Sequence, residues 1–181
     1  MAVPIGDELR ASLAEYVTEL RKAPWADAWR WTDPASWHVT LAFLGDISSS
    51  AVPEIAKALR EVAVRHTAFT VPTGGLGVFS SMRHPRVLWY GIDDSSGQLA
   101  ALAVDVRAAL HVDQAPFRGH ITVARGGEHQ DRRLTVRGFA PPSGTVSIRS
   151  LCLFRSERGM LRRYQALATG ALSRTRSEPH Q

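Results

Sequence analysis

The stretch Trp37-His38-Val39-Thr40-Leu41-Ala42-Phe43 returns later in the chain as Gly119-His120-Ile121-Thr122-Val123-Ala124-Arg125. Both read histidine, apolar, threonine, apolar, alanine. In a strand, alternate residues share a face. His38 and Thr40 therefore point one way and Val39 and Leu41 the other, and His120 and Thr122 repeat the arrangement. One His-x-Thr carries little information in a chain with seven histidines. Two copies in the same apolar setting carry much more. A buried imidazole and hydroxyl are costly unless partnered, and equal cost at two equivalent positions points to one polar ligand shared by two related halves.

The rest of the chain has room for that arrangement. Its 181 residues, 44% hydrophobic and 22% charged, fit one soluble domain or a body of two lobes that needs no staples. The net charge is +5 and the pI about 10.1. Nearly all the positive charge is arginine, with Lys22 and Lys57 the two lysines. Arginine grips phosphate with a planar fork of donors, so RNA or a nucleotide is the leading partner. High genomic G+C content would leave the same bias. Cys152, the single cysteine, lies in an apolar run with no metal-ligand spacing around it and reads as a small buried hydrophobe. No stretch is long and apolar enough to span a bilayer, and no basic-then-apolar leader opens the chain. The expectation is a cytoplasmic monomer with no membrane association.

Ala2 to Ile5 reads as the stub of a first strand. Leu9, Leu13, Tyr16, Val17 and Leu20 predict a helix over 7–20, with Asp7 able to cap it. A Trp-rich loop follows from Ala23 to Ser36. Trp25, Trp29 and Trp31 suit a cover over the first helix better than a base-stacking platform. The first motif strand is read as Trp37 to Leu44. A second helix follows over Ala51 to Arg65, then short strands at Phe69 to Val71 and Leu76 to Phe79, broken by Gly74-Gly75. A strand spans Arg86 to Ile92. A third helix, capped by Ser95 or Ser96, runs to Leu110. The second motif strand spans Arg118 to Ala124. Gly126 to Asp131 reads as loop, and Leu134 to Val136 is ambiguous. Val146 to Phe154 and Tyr164 to Leu172 close the fold as a pair of strands across a turn near Glu157. Residues 1–172 form one bilobal domain and 173–181 a disordered tail. Helices and strands mix without strict alternation, which predicts an α+β fold with mostly antiparallel pairing.

Cleaving a phosphodiester with water needs a base for the water and an acid for the departing oxygen. Histidine serves either role near neutral pH. Attack and departure are in line, so the two imidazoles must flank phosphorus from opposite sides, one from each lobe. Thr40 and Thr122 can donate to the non-bridging oxygens. Arg125 is the nearest arginine that could add charge. It stands an odd number of residues past His120, so a regular strand turns it away from the site. His66, His84, His111, His129 and His180 lack a repeated setting. Arg132-Arg133 and Arg162-Arg163 read as solvated basic surface.

Residues 37–45 (WHVTLAFLG) and 116–125 (PFRGHITVAR) resemble the two-histidine (2H) phosphoesterase superfamily. More narrowly, the chain resembles its RNA 2′,3′-cyclic phosphodiesterases, also called 2′-5′ RNA ligases. Residues 2–10 (AVPIGDELR), 87–92 (VLWYGI) and 151–167 (LCLFRSERGMLRRYQAL) extend the likeness over most of the chain. Departures are a short first strand, Gly119 where the family often has proline, and a poor match over 126–144. The resemblance implies a bilobal pseudo-twofold α+β fold, with two mostly antiparallel sheets facing a central cleft and helices outside. It implies cofactor-free, metal-independent hydrolysis of an RNA terminal 2′,3′-cyclic phosphate to a 2′-phosphate, with reversible 2′-5′ ligation. By position, His38 and His120 would be catalytic and Thr40, Thr122 and Arg125 would bind phosphate. Phe117 would pack near the nucleoside or simply in the core. His120 is assigned as base and His38 as acid for the 3′ oxygen. Alternatives are small cyclic phosphates such as ADP-ribose 1″,2″-cyclic phosphate, 2′-5′ oligonucleotides, a non-catalytic RNA- or nucleotide-binding module, and a metal hydrolase, for which supporting carboxylates are lacking.

Overall fold

Val3, Val39 and Ile121 have no solvent exposure, and the strands that carry them lie side by side at the middle of the sheet. The computed structural model describes residues 1–80, 85–112, 116–126, 140–157 and 163–174. Among them run, in chain order, β1 (Ala2–Pro4), α1 (Asp7–Leu20), β2 (Trp29–Trp31), β3 (His38–Thr40), α2 (Val52–Arg65), β4 (Phe69–Ser80), β5 (Pro85–Ile92), α3 (Gln98–Ala109), β6 (His120–Gly126), β7 (Thr145–Ile148), β8 (Ser150–Glu157) and β9 (Arg163–Ala171). The strand order is β7-β4-β5-β6-β3-β1-β8-β9, with β2 added on β6. Pairing between these strands is antiparallel throughout.

Read outward from the β6–β3 contact, each half has four strands with a motif strand innermost. This is the expected α+β body of two related halves. Its two sheets are joined into one curled sheet, because Val39 pairs with Ile121 at the centre.

The helices follow the periodicity. In α1, Leu9, Leu13, Tyr16, Val17 and Leu20 are buried, as the spacing predicts. Asp7 does not cap it. Gly6 holds the N-cap position without a side-chain bond, and Asp7 and Glu8 lie in the first turn, where negative charge suits the helix dipole. In α2 the buried stripe is Ala56, Leu59, Val62 and Ala63. The start of α3 is held mainly by Asp94, while Ser96 Oγ accepts from the Gln98 N–H at 3.4 Å. The Asp94 carboxylate accepts from the Leu99 and Ala100 N–H groups at 3.0 and 2.7 Å.

Gly119 lets α3 sit close. A Cβ there would come within 3.0 Å of both Ile92 and Leu99.

Several strand boundaries differ from the sequence reading. β3 covers three residues because the Leu41 and Ala42 N–H groups turn to the Met1 carbonyl, ending its ladder. The Trp-rich loop contains β2, which pairs with β6. β4 runs unbroken through Gly74-Gly75, absorbing them as a register shift against β5. The stretch 146–154 divides at Arg149 into β7, paired with β4, and β8, paired with β1 and β9. The second motif strand starts at His120 and continues to Gly126.

Ser173 is tied to the segment after α2 through its backbone. Its N–H donates to the His66 carbonyl and its carbonyl accepts from Ala68. The segments 127–131 and 134–136, the turn residues after Glu157, the residues after Arg174, and Arg132, Arg133 and Arg162 lie outside the described residues. Cys152 is buried, as expected. Trp29 is buried, while Trp25 and Trp31 pack against the core and each other. Among the described residues no helix is long and apolar enough to cross a membrane.

Candidate active site

The antiparallel pair Val39 and Ile121 sets the geometry. A register centred there puts His38 across from Thr122 and Thr40 across from His120. Both central residues are buried, while all four polar residues are part-exposed. The two imidazoles and two hydroxyls therefore share one face of adjacent strands, around the axis that relates the halves.

The histidines are held in matching ways. His38 Nδ1 donates to the Ser36 carbonyl at 2.7 Å. His120 Nδ1 donates to the Arg118 carbonyl at 2.7 Å. A carbonyl oxygen can only accept, so each neutral ring carries its proton on Nδ1. In both rings Nε2 is left with a lone pair.

Each ring also has aromatic walls. The His38 ring centroid lies 4.7 Å from Tyr164, edge-on, and 5.6 Å from Phe154. The His120 centroid lies 4.7 Å from Phe79, edge-on, and 6.3 Å from Trp89. Phe79 and Phe154 come from β4 and β8, which hold equivalent places in the two halves. Trp89 lies flat over Gly77, where any Cβ would come within 2.1 Å of the indole. The Arg118 guanidinium sits over its ring, 4.5 Å from the centroid.

These walls shift both titrations downward. Burial pushes His38 down to about 4, against the opposing effect of the Ser36 hydrogen bond. The positive charges of the chain's amino group, Arg125 and His120 add to the depression. His120 is also lowered, first by burial and then by Arg125 and Arg118, with the Arg118 carbonyl acting against them.

Arg125 reaches the site through a bulge. Leu88 pairs with Ala124 but Trp89 pairs with Thr122, so Val123 is an extra residue in β6. Val123 and Ala124 are consequently both buried, and the alternation resumes one residue late. Arg125 thus returns to the face of His120 and Thr122, where its charge bears on both rings. A regular strand would have turned it away.

Thr32 holds the bulge. Its hydroxyl lies 2.8 Å from the Thr122 carbonyl and 2.9 Å from the Val123 carbonyl, and accepts from Trp37 Nε1 at 2.8 Å. The residue preceding the first motif histidine is thereby tied to the second motif. Thr32→Val is expected to cost about 1–3 kcal/mol of stability in chemical denaturation, because it leaves these groups short of a partner. It should also slow catalysis by misaiming Arg125, and Thr32→Ser should restore both. An unchanged denaturation midpoint would deny Thr32 this role.

Phe117 packs against the core, with the Arg107 guanidinium 5.6 Å from its ring centroid. His66 lies away from the motifs, 2.8 Å from Asp105. The flanking aromatics Phe79, Trp89, Phe154 and Tyr164 were not picked out from the sequence as site residues. Their one signal was position, on segments read as strands. A cavity of about 690 Å³ opens beside the His38 half and shares Phe154 and Tyr164 with it. Among the described residues no group of three or more His, Cys, Asp or Glu gathers as a metal-ligand set.

The family profile described as LigT like Phosphoesterase matches residues 3–89. An RNA 2′,3′-cyclic phosphodiesterase of Archaeoglobus fulgidus is 30% identical over 69% of this chain and 70% of its own length. One of Geobacillus stearothermophilus is 27% identical over 93% of this chain and 55% of its own. The chain spans about half the length of the curated relatives it matches first. Among solved structures, E. coli LigT complexed with NADP+ aligns over 95% of both chains, with a TM-score of 0.72 and 26% identity. With a site of two His-x-Thr strands, this chain belongs to the LigT-like phosphoesterase family of the 2H superfamily.

Proposed function

We propose that the chain hydrolyses the 2′,3′-cyclic phosphate at RNA ends to a 2′-phosphate by paired histidine acid–base catalysis, and joins ends reversibly through 2′-5′ linkages. Residues 1–172 act as one two-lobed catalytic body. The observation that carries this reading is the matched tethering of His38 and His120 on adjacent strands, each with Nε2 left over. Relatives carrying the name RNA 2′,3′-cyclic phosphodiesterase support the substrate class.

In this mechanism the phosphate lies between the two Nε2 atoms. His120 takes a proton from water as its oxygen bonds to phosphorus. The P–O3′ bond breaks in line, and His38 gives its proton to O3′. The products are a 2′-phosphate and a free 3′-hydroxyl. Thr40 and Thr122 donate to the non-bridging oxygens, and Arg125 offsets their growing negative charge. His38 is the acid because the nucleoside-sized cavity adjoins it, and the leaving oxygen stays with the nucleoside. In the free site burial leaves both rings neutral near pH 7. The bound phosphate anion supplies the charge that draws a proton onto His38.

One proton must be shared by two rings whose affinities for it are depressed. The enzyme with one proton on the pair is most abundant between the two pKa values, the lower about 4 and the upper below the ordinary 6.5, and the active form, with that proton on His38, is a fraction of it that follows the same pH window. kcat/KM is expected to peak at mildly acidic pH and decline as pH rises past 6.5. A maximum above pH 7 would contradict the site's electrostatics.

The reaction class is tested with a short RNA ending in a 2′,3′-cyclic phosphate, in excess EDTA. The expected product is a 2′-phosphate end. No reaction, or reaction only after a divalent metal is restored, would overturn the proposal.

A further inference from the structure

Residues directly opposite each other in an antiparallel pair share a face. One such row crosses the His120 half: Arg30 of β2, Arg125 of β6, Val87 of β5 and Phe79 of β4. The Phe79 ring meets the His120 ring edge-on at 4.7 Å. The row therefore lies on the His120 side of the phosphate, across from the cavity beside His38. Trp29 and Trp31 point to the opposite face of β2. Trp29 is buried, and Trp31 Nε1 donates to the Ala26 carbonyl at 3.2 Å. The strand is thus anchored from behind, while Arg30 itself is exposed. Among the described residues no hydrogen bond or ion pair engages the Arg30 guanidinium.

Like charges directly opposite on neighbouring strands cost stability. An anion beside Arg30 and Arg125 removes that cost. Arg125 bears on the reacting phosphate. Arg30, one strand further out at about 4.8 Å, suits a second phosphate joined to the first through one nucleoside. Its side of the site decides which RNA strand brings that phosphate. The leaving O3′ departs towards His38 with its own nucleoside. The attacking oxygen arrives from the His120 side, where Arg30 stands.

We propose that the β2–β6 face is the acceptor site for ligation, seating the 5′-hydroxyl end of a second RNA strand, with Arg30 pairing with the first phosphodiester of that strand. This rests on the cyclic phosphodiesterase reading and adds the place where the second strand binds. His120 Nε2 takes the proton of the acceptor 5′-hydroxyl as O5′ bonds to phosphorus. The P–O3′ bond breaks, and His38 gives its proton to O3′. A 2′-5′ phosphodiester and a free 3′-hydroxyl result. Water in the place of O5′ gives hydrolysis instead, so Arg30 biases the partition between the two outcomes through binding alone.

The test supplies adenosine 2′,3′-cyclic phosphate as donor and an excess of either uridine or the 5′-hydroxyl dinucleotide UpU as acceptor. The readout is the ratio of 2′-5′-joined product to hydrolysed donor. The unaltered protein should favour UpU over uridine about tenfold in this ratio, since UpU alone offers a phosphodiester to the arginine fork. Arg30→Ala should erase that preference and lower joining to UpU about tenfold more than it lowers hydrolysis. Arg30→Lys should keep part of it, supplying charge without the fork. The melting temperature of Arg30→Ala should equal or exceed that of the parent, because a like-charge pair is relieved. Equal use of the two acceptors by the unaltered protein, hydrolysis without joining, or parallel losses of joining and hydrolysis in Arg30→Ala would overturn the acceptor site. Failure of the unaltered protein to open the cyclic phosphate at all would instead defeat the activity beneath it, so the two failures are distinguishable.

Discussion

Alanine at either motif histidine is expected to lower kcat by about 10²- to 10⁴-fold, the range that positioned proton transfer supplies. The two single variants should be similarly slow, and the double variant little slower than the worse of them. An acid and a base acting in one step fail together, so their effects do not add. The structural cost should differ. His38 is the more deeply set ring, wedged between Phe154 and Tyr164, and its removal leaves a gap. Yet it is buried neutral, with no charged partner to strand. His38→Ala should therefore lose some stability and nearly all turnover. A variant of either histidine that turns over at a near-normal rate would remove that ring from the chemistry.

Arg125→Ala should lower kcat/KM by about 10²- to 10³-fold through loss of charge opposite the transition-state oxygens. It should also move the pH profile. Arg125 depresses both imidazoles, so without it both take up protons more readily and the optimum moves to higher pH. Arg125→Lys should keep more of the profile than of the rate, since it restores charge without the planar fork. A slow enzyme with an unmoved profile would mean that Arg125 acts through structure rather than through its field.

The helices and the shared polar face were legible because they rest on local periodicity. Five apolar positions at helical spacing were enough to place α1 to the residue. The His-Thr pairs were legible because alternation in a strand is a local rule. What could not be read depended on partners distant in sequence. The bulge at Val123 exists because β5 and Thr32 shape it, and nothing within residues 120–126 announces it. Arg125 could be named as a candidate but not aimed. The continuity of β4 through two glycines, the division at Arg149 and the joining of two expected sheets into one were likewise settled by neighbours. The aromatic walls came from four separate strands. Asp94 holds the α3 start more firmly than Ser96 because its carboxylate reaches two N–H groups at 3.0 and 2.7 Å, while the serine hydroxyl accepts from one at 3.4 Å.

The most direct test is a crystal structure with a nucleoside 2′-phosphate, the expected product, bound. The account predicts Nε2 of His38 and Nε2 of His120 within hydrogen-bond distance of the phosphate from opposite sides, with both threonine hydroxyls on its oxygens. A phosphate held by one histidine alone, or seated away from the β3–β6 face, would contradict it.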